Sequence, residues 1–164
     1  MKYLAVITIS LASLFGSAGG CHKGPSASAD NNASNDQAKN ATDNLRGNKM
    51  KIRIGSNTFN ATLFDNATAT AFEAMLPLTL DMDELNGNEK KYDLAKSLPT
   101  DSSNPKRINN GDLMLWGSNT LVLFYKTFPT TYSYTRLGKV EDPSGLQAAV
   151  GSGSVKVTFE LEQE

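Results

Sequence analysis

The chain has one cysteine and one histidine in 164 residues, and they are neighbours, Cys21 and His22. Everything after position 22 lacks both. That absence excludes thiolate and imidazole metal sites from the rest of the chain. It also excludes Ser-His-Asp and Cys-His nucleophilic arrangements, because both need an imidazole to carry the proton. No Walker-type loop and no dinucleotide fingerprint occurs, and Gly151-Ser152-Gly153 is too short to serve as either. Charge of one sign is scarce as well. The 16 basic and 17 acidic side chains leave a formal charge of −1, and like charges never gather into long blocks. A nucleic-acid surface is therefore not expected. No cofactor is expected.

What is present begins with an export signal. Lys2 supplies a positive n-region, and Leu4 to Phe15 is an apolar run. The run has the length of a signal h-region and is too short to span a bilayer. Small residues Gly16-Ser17-Ala18-Gly19-Gly20 then lead to Cys21. Residues 1–20 read as a signal peptide. His22 to Asn48 is a tract rich in Ser, Ala, Asn, Asp and Gly with almost no large apolar side chain. Such a tract buries too little surface to offset its ordering entropy, so residues 21–48 read as a tether. As a random coil it would span ~30 Å.

Residues 49–164 read as one domain with a modest core. Its dominant period is two. Met50, Ile52 and Ile54 alternate with Lys51 and Arg53, Gly55-Ser56-Asn57 supplies a turn, and Phe59, Ala61 and Leu63 alternate again. This predicts a hairpin buried on one face. Ala69, Phe72 and Leu76 fall on one helical face, which predicts a helix within 66–76 stopped by Pro77. Further strands are expected at 78–82, 91–94, 113–116, 121–125, 131–140 and 155–161. A polar loop is expected from Lys96 to Asp112. The run Leu121-Val122-Leu123-Phe124-Tyr125 is apolar without alternation and should be covered on both faces. Asp142-Pro143 predicts a short helix with Asp at the N-cap and Pro at N1, closed by Gly151. About eight strands and two short helices make a small closed barrel the economical architecture, since closure removes exposed edges.

Two resemblances add to this reading. Small residues directly before Cys21 resemble the lipobox of bacterial lipoproteins, with Ala18 standing where that family has Leu. The resemblance implies acylation of Cys21 and a lipid anchor in the cell envelope. Cleavage near Ala18, leaving a free thiol, is the alternative. Residue 22 is His rather than Asp, which removes the inner-membrane retention signal and points to the outer membrane.

The second resemblance lies in the segments Leu85-Asn86-Gly87-Asn88-Glu89-Lys90-Lys91-Tyr92, Gly111-Asp112-Leu113-Met114-Leu115-Trp116-Gly117 and Tyr132-Ser133-Tyr134-Thr135-Arg136-Leu137-Gly138. So does the ending Asp142-Pro143-Ser144-Gly145-Leu146 with Gly151-Ser152-Gly153. These resemble the bacterial cyclophilin-like family. The resemblance implies a closed eight-stranded cyclophilin-like β-barrel with two short helices. True cyclophilins are prolyl isomerases that carry a Phe-His-Arg type segment, and that segment is missing here.

Three functions stay open at this stage. The first is a non-enzymatic module that binds a peptide or small ligand. The second is a weak peptidyl-prolyl isomerase, a reaction needing no nucleophile because its barrier is amide rotation. The third is a structural lipoprotein without a pocket. The candidate ligand-binding face comprises Tyr132, Tyr134 and Arg136, expected on one side of a single strand, with Phe128, Trp116 and Tyr125 nearby. Packing of the tyrosines along the barrel is the competing reading. Arg107, in Asn104-Pro105-Lys106-Arg107, is expected to be solvated. Asp81, Asp83, Glu84 and Glu89 surround one turn without the EF-hand pattern, and are expected as a solvated acidic turn rather than a metal site.

Overall fold

The computed structural model describes residues 48–162. The signal peptide, Cys21 and nearly all of the tether lie outside the described residues. Among the described residues there are ten strands and two helices. In chain order they are β1 (Lys49–Ile54), β2 (Asn57–Leu63), α1 (Ala67–Glu73), β3 (Leu78–Leu85), β4 (Glu89–Asp93) and β5 (Arg107–Ile108). Then come β6 (Asp112–Trp116), β7 (Thr120–Phe124), β8 (Phe128–Pro129), β9 (Thr135–Val140), α2 (Leu146–Val150) and β10 (Val155–Leu161). Eight strands close a barrel in the order β1-β10-β3-β4-β7-β6-β9-β2, antiparallel throughout. The mainly-β closed barrel with two helices is thus as expected.

Alternation builds the interior. Met50, Ile52 and Ile54 of β1 point inward, opposite Phe59 and Ala61 on β2 and Val157 and Phe159 on β10. The helix α1 covers the barrel by packing Phe72 edge-on against Phe159, ring centroids 5.7 Å apart. Its N-cap is Asn66, whose side-chain oxygen accepts from the Ala69 N–H at 2.9 Å. The hairpin joining β3 to β4 turns through Asn86 and Gly87, both at positive φ (57° and 67°), the geometry that Asn-Gly favours.

β7 is buried along its whole length. Leu121 and Leu123 enter the barrel core, whereas Val122 and Phe124 face outward with Met114 of β6. That outward face is covered by a two-stranded ribbon of β5 and β8, in which Arg107 pairs with Pro129 and Ile108 with Phe128. Ile108, Phe124, Tyr134, Met114 and Val122 form a second apolar cluster, with Phe128 packed on its edge. Phe124 meets both Phe128 and Tyr134 edge-on, at 5.8 and 5.5 Å.

Two expected elements are corrected. The strand expected over 131–140 starts at Thr135, and the residues before it belong to the ribbon and its return. They leave the barrel because their backbone partners lie in the supposed loop. Tyr134 exchanges both N–H···O bonds with Ser103, at 3.0 Å each, and Thr130 N–H donates to the Lys106 carbonyl at 3.0 Å. The helix expected from Asp142 begins at Leu146 after Gly145. Asp142 instead closes its own tight turn, accepting from the Ser144 N–H at 2.9 Å.

β9 passes close to β2. A methyl group on Gly138 would stand 2.8 Å from the Thr62 carbonyl oxygen, so only glycine lets the two backbones pair at this point. The expected result of Gly138→Ala is a loss of about 1–3 kcal/mol, read by urea denaturation. An unchanged midpoint would show that the strands can part there without cost.

Candidate functional site

The ribbon covers the outer face of β6 and β7 only in part. Beside it lies a groove of about 530 Å³, within the size range of small-ligand sites. Its floor is the outward side of β4 and β7, where Glu89, Lys91 and Asp93 stand beside Thr120 and Val122. Its walls are aromatic. Trp116 stands at the end of β6, Phe128 on the ribbon, and Tyr132 and Tyr134 on the segment returning to the barrel. Leu85, Asn86 and Asn88 of the β3–β4 hairpin close the other side. The wall is held by backbone pairing of Tyr134 with Ser103 and by the Asn104 amide donating to the Thr131 carbonyl at 2.8 Å.

Four of the six expected ligand-binding residues, Trp116, Phe128, Tyr132 and Tyr134, line this groove. Tyr125 and Arg136 do not. Tyr134 and Arg136 line different cavities. Arg136 lines a second cavity of about 750 Å³, together with Arg107, Asp112 and Asp65. There its guanidinium lies 4.7 Å from the Phe64 ring centre. Burial pushes the Asp112 carboxyl in that cavity up, despite a 2.7 Å hydrogen bond from the Asn109 N–H and the nearby Lys139 and Arg136 charges. Arg107 is exposed. The expected grouping of Arg136 with Trp116, Phe128, Tyr132 and Tyr134 is therefore divided between two cavities.

Tyr125 has a different role. It follows β7, turns inward, and donates its hydroxyl to Glu84 Oε1 at 2.8 Å. Glu84 also accepts from Lys90 Nζ at 2.6 Å, and Lys90 is fully buried. The other two ammonium protons go to the Gly153 and Gly151 carbonyls, at 2.5 and 3.1 Å. All three donors of the buried lysine are thus engaged. Burial would raise the Glu84 carboxyl, but hydrogen bonds from Lys90 and Tyr125, the lysine charge and the Gly87 N–H together bring it below its ordinary value. Burial and the bond to Glu84, with the charges of Glu84 and Glu89, push the Tyr125 hydroxyl up to about 12.

The acidic turn at 81–89 is not uniformly solvated as expected. Asp81 pairs with Lys156 at 2.8 Å, and Asp83 accepts from Ser154 at 2.9 Å, both at the surface. Glu84 joins the buried clamp. Glu89 is buried at the floor of the groove, only 8% exposed. Among the described residues no group of acidic side chains converges as a metal site would require. Glu89, Asn88 and Leu85 were not among the expected site residues. The available signal was the strand period: Glu89 sits two residues from Lys91 and opposite Phe124, on the apolar outer side.

An antiparallel barrel with a ribbon-walled groove on its outer face defines a class of small closed all-β domains. The chain belongs to the cyclophilin-like family, whose model matches residues 52–160. The solution structure of a hypothetical protein from Archaeoglobus fulgidus has the same fold. It superposes with a TM-score of 0.51 at 16% identity, over 71% of this chain and 95% of its own. No curated protein matches.

Glu89 has an electrostatic signature of its own. Burial, reinforced by the Glu84 charge, raises its carboxyl from 4.5 to about 7. The folded chain therefore keeps a proton that the unfolded chain releases, and folding stability falls as pH rises between these two values. Glu89→Gln removes that dependence. The expected outcome is a variant that gains about 1–3 kcal/mol over the parent between pH 4.5 and pH 8, measured by urea unfolding. A difference independent of pH would mean that Glu89 titrates like an exposed acid.

Proposed function

We propose that this domain is a non-enzymatic binding module that holds a peptide or small ligand in the outer groove. The observation that carries this reading is where the apolar surface is left uncovered. Four large apolar side chains stand exposed among the described residues, namely Leu85, Trp116, Tyr132 and Leu161, and the first three line the groove. Trp116 is 53% exposed and Tyr132 is 65% exposed. Apolar side chains scattered singly need no explanation, but convergence on one concave site does. Trp and Tyr are also the residue types that contribute most to binding hot spots. The wall is tied by main-chain hydrogen bonds, so the site exists before its ligand and little ordering entropy opposes binding.

The absence of histidine and cysteine after position 22 supports binding over covalent turnover. The module is further proposed to reside in the bacterial cell envelope, on a tether anchored through lipidated Cys21, with the outer membrane as its place. The apolar run before small residues and Cys21 supports this.

Each part has its own test. The full-length chain should show a concentration-dependent rise in melting temperature with at least one member of a panel of short peptides and envelope metabolites. Trp116→Ala and Tyr132→Ala should each weaken that binding at least ten-fold, while changing unfolding free energy by about 0.5 kcal/mol or less. A flat response across the panel, or binding indifferent to both variants, sinks the groove as the site. For the anchor, Cys21→Ser should move the protein from the membrane fraction to the soluble envelope fraction. Unchanged membrane partition would refute lipidation at this position.

A further inference from the structure

We infer that the groove selects a cationic group, a primary ammonium or guanidinium such as a lysine or arginine side chain of an extended peptide, and that Glu89 is the residue that receives it. This rests on the groove being the binding site. It specifies what that site reads.

The floor holds a buried carboxyl group without a partner. No hydrogen bond or ion pair among the described residues engages the Glu89 carboxyl group. A buried acceptor left unpaired costs free energy that a donor from a ligand would recover. The charges near the floor do not supply that donor. Lys91 is committed to Asp93 at 3.2 Å, and Asp93 also accepts from the Thr120 hydroxyl at 2.7 Å. Lys90, though adjacent in sequence, is turned into the barrel and bound to Glu84. The other titratable groups around Glu89 are Glu84 on β3, Tyr125 after β7 and Tyr134 on the wall. None of these three is a cation. The lining thus holds two carboxylates against one ammonium, and that ammonium is already paired.

The walls suit the same ligand. Trp116, Tyr132, Tyr134 and Phe128 offer aromatic faces, and a cation held against such faces gains electrostatic attraction in addition to its contact with a carboxylate. An anionic ligand would meet Glu89 and Asp93 with no free positive partner. A neutral apolar ligand would use the walls and leave the Glu89 carboxyl unpaired.

Protonation offers a second handle. Burial and the Glu84 charge raise the Glu89 carboxyl to about 7, so an arriving cation must displace its proton. Binding should therefore strengthen as pH rises through about 7.

Trp116 is the single tryptophan of the chain and reports on the groove without labelling. The probes are acetyl-Gly-Lys-Gly-amide and its norleucine and glutamate counterparts, titrated into the full-length chain by Trp116 emission and thermal shift. At pH 8 the lysine peptide should bind at least ten-fold tighter than the norleucine peptide, and the glutamate peptide weakest. Between pH 8 and pH 6 the lysine advantage should fall about ten-fold. Glu89→Gln, an isosteric change whose folding is checked by its melting temperature, should erase both the advantage and the pH dependence. Equal binding of the lysine and norleucine peptides, or preference for glutamate, overturns the cation inference and leaves the groove intact as a site. Absence of binding by all three peptides overturns it as well. The wider panel then decides whether the groove reading also falls.

Discussion

The outward side of β7 is apolar, and that single constraint organises the functional half of the molecule. Val122 and Phe124 cannot face water at a strand that is already apolar on its inner side. Burying two such side chains is worth about 1.5–3 kcal/mol each, so the fold recruits cover. The cover comes from outside the barrel, as the β5–β8 ribbon and Tyr134. It buries both Phe124 and Val122, and Val122 stands at the edge of the cover, where it also lines the groove. The groove is thus the unfilled remainder of a packing problem. Its aromatic wall belongs to the same segment that solves the rest of that problem.

Two adjacent residues of β4 show how strand alternation separates structure from surface chemistry. Lys90 points inward and is satisfied by one carboxylate and two carbonyls. It ties β3, β4 and the segment before β10 together through a buried charge. Removing one partner from such a set costs far more than the set contributes, because the remaining charge stays desolvated. Glu89 points the other way, to the groove floor, and has no such partner. One lysine is locked and one glutamate is left open, within a single dipeptide.

Much of the fold was legible in the residues. The β1–β2 hairpin followed from strict alternation, and two-sided burial of β7 followed from its lack of alternation. The site was legible only in part. The aromatic residues could be named, but their grouping with Arg136 assumed one continuous strand over 131–140. Nothing local in Thr131-Tyr132-Ser133-Tyr134 announces that its partner is Ser103, inside a polar stretch. Glu89 was expected in a solvated turn and Lys90 was not singled out, for a different reason. Hydrophobic patterning assigns charged side chains to water, and both are buried because of neighbours distant in sequence: Phe124 beside Glu89, Gly151 and Gly153 around Lys90.

Closure of the ring brings the two ends of the domain side by side. β1 pairs with β10 from Met50 opposite Leu161 to Ile54 opposite Val157, so the first strand waits for the last. Until β10 emerges from the ribosome, β1 and β3 each present an unpaired edge. A nascent or truncated chain lacking β10 would expose two templates for strand addition at once. Completion of the barrel therefore depends on a search that joins positions about a hundred residues apart in the chain.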